Sequence, residues 1–557
     1  MSENPAIIVG AGLAGLVAAY EASQAGKKVL IVDQENAHNL GGQAFWSLGG
    51  IFLVDSPEQR RLGVKDSLEL ADADWFNSAQ FDREEDYWGK QWASAYLRFA
   101  AGEKRDYLRS LGVKFLPIVG WAERGEGSAG GHGNSVPRFH LTWGTGPEIV
   151  RVFAEPLQRA VAQGQVDFRH RHRVDDIIVE NGRAVGVRGQ ILEPTELPRG
   201  VESSRTETGE SFELRGAAVC IATGGVGGNL EAVRRCWPVE KLGPMPEDMV
   251  CGVPAHVDGR GIEIAESAGA NLVNRDRMWH YTEGMKNWDP IWPKHGIRII
   301  PGPSSLWFDA RGQRLPAPYI PGADTVGTMK HILATGYTYS WFVLNKNIVA
   351  KEFIFSGSEQ NPDLTDKELK KLVGKVTAGI AEPIQKFMDH GEDWVVADNL
   401  EDLVAGMNRV AGESGPEAPV IEVAELRRQI ELRDMQTTNA YSKDYQVNYV
   451  RVARKFLGDK VVRSVPPSPI LDPKNGPLIA IRLRMLTRKT LGGIETNLDG
   501  QVMRPDGSVF AGLYAAGEAS GFGGGGVHGN NALEGTFLGG CIFSGRQAGR
   551  AMGGEVA

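Results

Sequence analysis

The chain has 557 residues, which is more than one hydrophobic core usually organises, so at least two domains are expected. Hydrophobic residues make up 42% and charged residues 23%, and this composition excludes a wholly disordered chain. The formal net charge of −8 is spread along the sequence, so no general attraction for nucleic acid is expected. Glycine is the outlier, with 71 residues against an average usage of about 7%, and such an excess favours tight turns beside a ligand.

The sequence shows no signal for export or membrane insertion. No apolar run reaches the roughly 18 residues of a transmembrane helix, and the N-terminus lacks the basic region of a signal peptide. The four cysteines form no C-x-x-C pair and are too sparse for a disulfide framework. We therefore expect a cytoplasmic protein without a transmembrane segment.

The N-terminal residues have the pattern of a βαβ unit. Residues 6–9 and 28–32 predict buried parallel strands, and residues 13–24 predict the helix between them. The motif Gly10-Ala11-Gly12-Leu13-Ala14-Gly15 joins the first strand to the helix. Its first glycine allows a tight turn, its second lets backbone amides reach a pyrophosphate, and its third lets helix and strand pack closely.

Asp33 and Gln34 follow the second strand of this unit. A carboxylate at this place accepts hydrogen bonds from an adenosine ribose. A purely structural glycine turn is the alternative, but the order of strand, motif, helix, strand and acid favours a dinucleotide site.

Three further segments predict contacts with the same ligand. They are a second glycine loop with Gly41, Gly42, Gln43, Ala44, Ser47, Gly49 and Gly50, the strand end Ala222-Thr223-Gly224, and the turn Gly517-Glu518. Each alone could equally be a strand-terminating turn. Together they favour FAD, because a second glycine loop suits a ligand that runs deep into the protein and an acidic turn suits a ribityl chain.

These motifs as a set resemble the flavoprotein superfamily of fumarate reductase, succinate dehydrogenase and the 3-ketosteroid dehydrogenases. The resemblance implies an α/β fold, in which a Rossmann-like FAD-binding domain (a parallel sheet with helices) is interrupted by an α+β substrate-capping domain. The implied FAD-binding parts are residues 1–277 and 465–557, and the capping domain is residues 278–464. Val174 matches the position whose backbone meets the adenine, and a helix beginning at Thr536, Phe537 and Leu538 points its amides at the flavin ring.

The resemblance also bears on how FAD is held. The succinate dehydrogenase branch attaches it covalently through a histidine in the second glycine loop. Residues 41–50 contain no histidine, and His38 lies ahead of that loop. We therefore expect non-covalent FAD.

The residues with which fumarate reductases bind a dicarboxylate are largely replaced. Lys489 stands for the histidine of H-T-x-G-G, Ala532 stands for the arginine of H-G-x-N-R, and residues 313–319 lack the arginine expected after R-F-x-N-E. His280 still matches a substrate-binding histidine. This pattern disfavours fumarate as the substrate.

The ketosteroid dehydrogenase branch fits these positions better. The segment ending at Tyr319 is similar to R-F-x-N-E-S-x-P-Y, whose tyrosine helps to take a proton beside the ketone. His528 replaces a tyrosine that donates to the substrate carbonyl, and Ala532 stands where a backbone amide does the same. The resemblance thus implies that Tyr319 and His528 are catalytic and that His280, Lys489 and Ala532 bind substrate.

Each of these assignments has a structural alternative. Tyr319 and His280 could be packed aromatic residues, and His528 could be a hydrogen-bonded loop histidine. Lys489 could belong to a solvated basic strand together with Arg482, Arg484 and Arg488.

The expected function is that of an FAD-dependent oxidoreductase acting on a C–C bond next to a carbonyl. Such an enzyme dehydrogenates a CH–CH bond or reduces an enone, and the expected small-molecule substrate is cyclic and ketosteroid-like, with an unknown electron acceptor or donor. The alternatives are a fumarate reductase-like enzyme for a carboxylate substrate and a non-catalytic flavin-binding protein.

Overall fold

A sheet built around the N-terminal strand holds the predicted dinucleotide motif. The computed structural model describes residues 4–121, 133–368, 379–413, 415 and 417–554. Five neighbouring strands of this sheet are parallel and a sixth is antiparallel at one edge. In spatial order they are β21 (Gln501–Met503), β22 (Val509–Ala515), β10 (Ala218–Ile221), β1 (Ala6–Val9), β2 (Val29–Asp33) and β6 (Val166–His170).

Two helices cover one face of this sheet and contact each other closely. Helix α1 (Leu13–Gln24) follows β1, and α17 (Thr536–Gly553) lies along it near the C-terminus. A Cβ atom on Gly545 or Gly549 would lie 2.5 Å from a backbone carbonyl oxygen of α1. The glycines of α17 therefore allow its backbone to approach α1, and the start of α17 is fixed beside the dinucleotide motif.

A second sheet is largely antiparallel and has the long strand β19 (Leu478–Thr490) near its centre. The pairing of β11 (Val250–Cys251) with β19 is the one parallel pairing among the described strands of this sheet. The other strands are β11 (Val250–Cys251), β13 (Met278–Lys286), β14 (Gly296–Ile300), β15 (Leu306–Asp309), β16 (Tyr339–Asn345), β17 (Ile354–Phe355) and β18 (Trp394–Ala397).

Helices surround the second sheet, which gives this region an α+β character. They are α10 (Thr325–Ala334), α11 (Lys346–Glu352), α12 (Pro362–Thr365), α13 (Glu382–His390), α14 (Leu400–Gly412), α15 (Val423–Thr437) and α16 (Tyr445–Ala453). The predicted fold class is confirmed. The predicted domain boundaries stay a prediction; β19, which they assign to the FAD-binding part, hydrogen-bonds within the second sheet.

The remaining elements form small sheets and connecting helices. Asn181 and Gly182 form the hairpin turn between β7 (His172–Glu180) and β8 (Arg183–Leu192), and both have positive φ angles. The small sheets contain β3 (Gly50–Phe52), β4 (Phe115–Gly120), β5 (Phe139–Thr142), β7 (His172–Glu180), β8 (Arg183–Leu192), β9 (Glu207–Arg215), β12 (Leu272–Val273) and β20 (Gly493–Ile494). The helices are α2 (Pro57–Arg61), α3 (Leu68–Ala79), α4 (Tyr87–Ala101), α5 (Lys104–Ser110), α6 (Thr145–Ala162), α7 (Leu230–Cys236), α8 (Val239–Leu242) and α9 (Arg260–Ser267). Among the residues described, no helix combines the length and apolar character needed to cross a bilayer.

The basic residues of β19 are not solvated, contrary to the alternative considered for Lys489. Arg482 and Arg484 are buried, and the Nε atom of each donates to Asp393 Oδ1, at 2.8 and 3.1 Å. The second oxygen of Asp393 accepts the backbone N–H of Lys286 at 2.9 Å. Asp393 therefore joins β13 and β19 through a buried carboxylate.

We expect Asp393→Asn to lower the free energy of unfolding by about 3–5 kcal/mol, because Arg482 loses its buried counter-charge and Arg484 keeps only its ion pair with Asp248 at 3.0 Å. Denaturant titration followed by circular dichroism measures the change. The control is Glu425→Gln, which breaks an exposed ion pair with Arg428 on α15 and should change stability by less than about 0.5 kcal/mol. Equal effects of the two variants would contradict this account of the strand.

Candidate active site

One cavity runs from the carboxyl ends of the parallel strands to the second sheet. It encloses about 1690 Å³ of empty space, including its opening to solvent. Its walls come from the loops after β1, β2 and β10, from the second glycine loop, from β13, β14 and β19, and from the start of α17. The cavity thus connects the predicted dinucleotide motifs with side chains of the second sheet.

The predicted cofactor-binding residues line this cavity, with three exceptions. Ala11 instead donates its backbone N–H to Asp33 Oδ2 at 2.6 Å, and Thr536 bonds His528. A Cβ atom on Gly15 would lie 2.0 Å from the carbonyl oxygen of Gly10, so Gly15 allows helix and strand to pack. The lining residues are Gly10, Gly12, Leu13, Ala14, Asp33, Gln34, Gly41, Gly42, Gln43, Ala44, Ser47, Gly49, Gly50, Val174, Ala222, Thr223, Gly224, Gly517, Glu518, Phe537 and Leu538.

At the end nearest β2, polar side chains surround the carboxylate of Asp33. Asp33 Oδ1 accepts the backbone N–H of Glu35 at 2.8 Å, and burial raises the pKa of Asp33. His256 and Asp258 also line this end, although the sequence did not single them out as ligands. Asp258 accepts a hydrogen bond from Gln34 at 3.3 Å, which holds the two residues side by side.

A hydrogen-bond network near the start of α17 joins Lys489, Gln43 and Glu518. Lys489 Nζ donates to Gln43 Oε1, and Gln43 Nε2 donates to Glu518 Oε2. The backbone N–H of Thr490 donates to the other oxygen of Glu518 at 2.8 Å. Burial lowers the pKa of Lys489 to about 8, although Glu518 acts in the opposite direction.

Beyond Lys489, the cavity reaches an acid–base group that the sequence did not predict. Glu534 Oε1 accepts the hydroxyl of Tyr281 at 2.9 Å and Nη1 of Arg298 at 2.7 Å. The Arg298 guanidinium also lies 3.5 Å from the centre of the Tyr281 ring. Burial, and next the Glu534 carboxylate, raise the pKa of Tyr281, so its hydroxyl stays protonated.

Strand alternation explains why Tyr281 lines the cavity and His280 does not. Neighbouring residues of β13 face opposite sides, and the His280 ring stacks on Trp237 at 5.3 Å. Burial lowers the pKa of His280 to about 3, and neither ring nitrogen has a hydrogen-bond partner in the described part of the chain. The strand signal around residues 278–281 could have indicated the two faces, but not which face meets the ligand.

Three more of the predicted substrate and catalytic residues also lie outside this cavity. Tyr319 stacks on His331 at 4.8 Å, and His528 stacks on Trp75 at 5.4 Å while its Nε2 lies 2.9 Å from Thr536 Oγ1. Ala532 lines a separate small pocket. Of the five residues predicted to act on the substrate, Lys489 is the one that lines the large cavity.

Comparison with known proteins agrees with the cofactor part of the cavity. The family model described as "FAD binding domain" matches residues 6–538. A KsdD-like steroid dehydrogenase of Mycolicibacterium smegmatis is 58% identical over 557 residues, covering 100% of both chains. Another from Mycobacterium tuberculosis is 57% identical over 552 residues, covering 99% of this chain and 96% of that protein.

A solved structure shows the same fold over the whole chain. The 3-ketosteroid Δ1-dehydrogenase of Sterolibacterium denitrificans, in complex with 1,4-androstadiene-3,17-dione, superimposes with a TM-score of 0.69 at 14% identity, covering 100% of both chains. The family model and the two mycobacterial relatives confirm the predicted resemblance to this superfamily.

The residues present fit FAD. Helix α1 has no side-chain cap at Gly12, so its first amides are free for a pyrophosphate. Two buried atoms in the cavity wall, Thr223 Oγ1 and His256 Nε2, have no hydrogen-bond partner among the described residues and suit a polar ligand.

We expect the Gly12→Val variant to fold but to contain at least about tenfold less flavin than the wild type. The valine side chain would fill the space through which a pyrophosphate approaches the backbone. A Cβ atom at Gly12 comes no closer than 3.7 Å to a protein atom, and its φ of −70° suits any residue. Flavin absorbance per protein measures the loss. Gly412→Ala is the control, since its Cβ would meet no atom within 4 Å; full flavin occupancy in Gly12→Val would refute the assignment.

Proposed function

This chain belongs to the FAD binding domain family of flavoproteins, and on that premise we propose that it dehydrogenates a CH–CH bond next to a carbonyl in a ketosteroid-like substrate. The observation that carries the proposal is the group Tyr281, Glu534 and Arg298 at the end of the cavity that contains the FAD motifs. The names of the M. smegmatis and M. tuberculosis relatives support the substrate class. Enone reduction is the reverse of the same reaction.

Glu534 is the proposed acceptor of the proton on the carbon next to the carbonyl. Both Tyr281 and Arg298 donate to its Oε1, and no described residue donates to Oε2, so Oε2 can take the proton. The C–H electron pair then moves towards the carbonyl as an enolate. When bound, FAD supplies the acceptor for the hydride that leaves the neighbouring carbon.

Tyr281 and Arg298 position Glu534. Because burial and Glu534 keep Tyr281 protonated, its hydroxyl acts as a hydrogen-bond donor and not as the base. Arg298 donates to the same carboxylate oxygen at 2.7 Å, which fixes the orientation of the carboxylate in the cavity.

Lys489 holds a positive charge near the start of α17. It is protonated below pH 8, given its pKa of about 8, and its Nζ lies 5.9 Å from the centre of the Phe537 ring. A positive charge and helix amides at this place favour negative charge on a bound ligand. The roles predicted for Tyr319 and His528 stay predictions, and this proposal does not depend on them.

Two further parts of the proposal concern location and attachment. All four cysteines are free thiols, which suits the predicted cytoplasmic location. His38 does not line the cavity, and its Nε2 lies 3.5 Å from Glu196 at the surface. These contacts support non-covalent FAD, with an electron acceptor still to be identified.

Acid precipitation of the purified protein should release all of its flavin as FAD into the supernatant, because no covalent bond would hold it to the unfolded chain. Absorbance and chromatography of supernatant and pellet measure the release. A succinate dehydrogenase with covalent flavin provides the control for the extraction. Flavin that stays in the pellet would rule out non-covalent attachment.

Glu534→Gln should slow flavin reduction by a 3-ketosteroid about 10²–10⁴-fold while FAD stays bound, because the amide cannot accept the proton. Anaerobic stopped-flow bleaching of the flavin measures the rate. Tyr281→Phe should cause a smaller fall, since Arg298 still orients the carboxylate. Tyr319→Phe separates this proposal from the sequence-based assignment: a loss as large as that of Glu534→Gln would favour Tyr319 as the proton acceptor.

A further inference from the structure

Arg488 carries a charge inside the cavity that no described carboxylate neutralises at contact distance. Its side chain lines the same cavity as Tyr281 and Glu534, and its Nη1 donates to the backbone carbonyl of Gly252. No Asp or Glu oxygen of the described residues lies within 4.0 Å of its guanidinium. Burial lowers the pKa of Arg488, as expected for a cation removed from water.

The neighbouring cations differ from Arg488 because each has an acidic partner. Arg298 lies 2.7 Å from Glu534, and Lys489 lies 3.9 Å from Glu518. Two acidic groups and three basic groups therefore line this part of the cavity. The buried Glu283 lies behind this lining and interacts with Arg298 and Glu534, and burial raises its pKa. Among the lining cations, Arg488 is therefore the one without an acidic partner at contact distance in the described part of the chain.

Glu359 is the further acidic residue that affects Arg488, but it does not form an ion pair with it. Burial raises the pKa of Glu359 to about 7, so at neutral pH it is only partly ionised. Its Oε2 atom is buried and has no hydrogen-bond partner among the described residues. His295, which also lies near Arg488, is neutral because burial lowers its pKa to about 3.

A buried cation without an acidic partner is costly, so a ligand that supplies a negative charge there gains binding free energy. A neutral ketone does not supply it, whereas a carboxylate does and also matches the fork of a guanidinium. Leu48, Phe139 and Ile300 line the cavity as apolar side chains that suit a ring system. We infer that the substrate is a cyclic ketone that also carries a carboxylate, and that Arg488 binds this carboxylate.

This inference rests on the proposed function, since it adds a carboxylate to the ketosteroid-like substrate. It differs from a role of Arg488 at the reacting carbonyl, where the guanidinium would stabilise the enolate. The carbonyl role affects every ketone equally. The carboxylate role affects only substrates that carry the acid.

The test compares a 3-oxo steroid that has a side-chain carboxylic acid with its methyl ester. For wild type and Arg488→Met, kcat/KM is measured by anaerobic flavin reduction, and Kd is measured by perturbation of the flavin spectrum. We expect the wild type to prefer the acid by about 10- to 100-fold. In Arg488→Met the ratio of acid to ester should fall towards one.

The matched control is Arg298→Met, which removes a cation that already has an acidic partner. It should lower the activity on acid and ester together and keep their ratio. FAD content and circular dichroism check folding; if Arg488→Met does not fold, Arg488→Lys keeps the charge without the fork and should give an intermediate ratio.

The outcomes are distinguishable. An acid-to-ester ratio that is the same in wild type and Arg488→Met overturns the inference, and an equal fall for both substrates assigns Arg488 to the carbonyl. If neither compound reduces wild-type flavin, the proposed function fails, and the Kd ratio still decides whether Arg488 selects the acid.

Discussion

Strand β19 connects the second sheet to the FAD-binding motifs, and the site depends on that connection. Its middle pairs with β13 and β16, while its last residue, Thr490, donates its backbone N–H to Glu518 at 2.8 Å. The Thr490 side chain also accepts the backbone N–H of Val226 at 2.9 Å, just after the β10 strand end. Arg488 and Lys489 therefore reach the cavity at positions that both halves of the molecule determine.

Buried charge is handled differently at the two ends of β19. In the middle of the strand, Arg482 and Arg484 share Asp393 and Arg484 also pairs with Asp248, so their charges are balanced within the protein. Near its end, Lys489 faces Glu518 at 3.9 Å, and Arg488 contacts a carbonyl oxygen. The arginines in the middle of β19 thus have acidic partners, and its last arginine does not. That last arginine is the cation available to a ligand.

The cofactor site could be read from the sequence because backbone geometry determines it. A tight turn, close approach of a pyrophosphate and close helix packing each require glycine at a given spacing, and the loops after β1, β2 and β10 meet because carboxyl ends of parallel strands share one edge. Gly10, Gly12 and Asp33 accordingly line the cavity. Ala11 and Gly15 belong to the same motif but do not line the cavity. Ala11 donates its backbone N–H to Asp33, and Gly15 allows the helix to pack on the strand.

The substrate end could not be read in the same way, because side chains from distant segments form it. Tyr281, Arg298 and Glu534 are brought together by the pairing of β13 with β14 and by the loop before α17. The pairing of β13 with β19 shifts register twice, so counting along the strand does not show which residue faces the ligand. Motif matching selected His280 and Tyr319, but the first packs on Trp237 and the second on His331.

This division has a consequence for specificity. Glycines and backbone amides form most of the predicted dinucleotide site, whereas Tyr281, Arg298 and Glu534 come from other segments of the chain. A few side chains on β13, β14 and β19 then decide whether the second ligand is neutral, polar or anionic, and each such side chain acts through its charge balance with its neighbours. In this cavity the negative charge of Glu534 balances the positive charge of Arg298. The charge of Arg488 has no such acidic partner and can pair with a ligand. Proton transfer and recognition of an anionic group thus fall to different residues of one cavity.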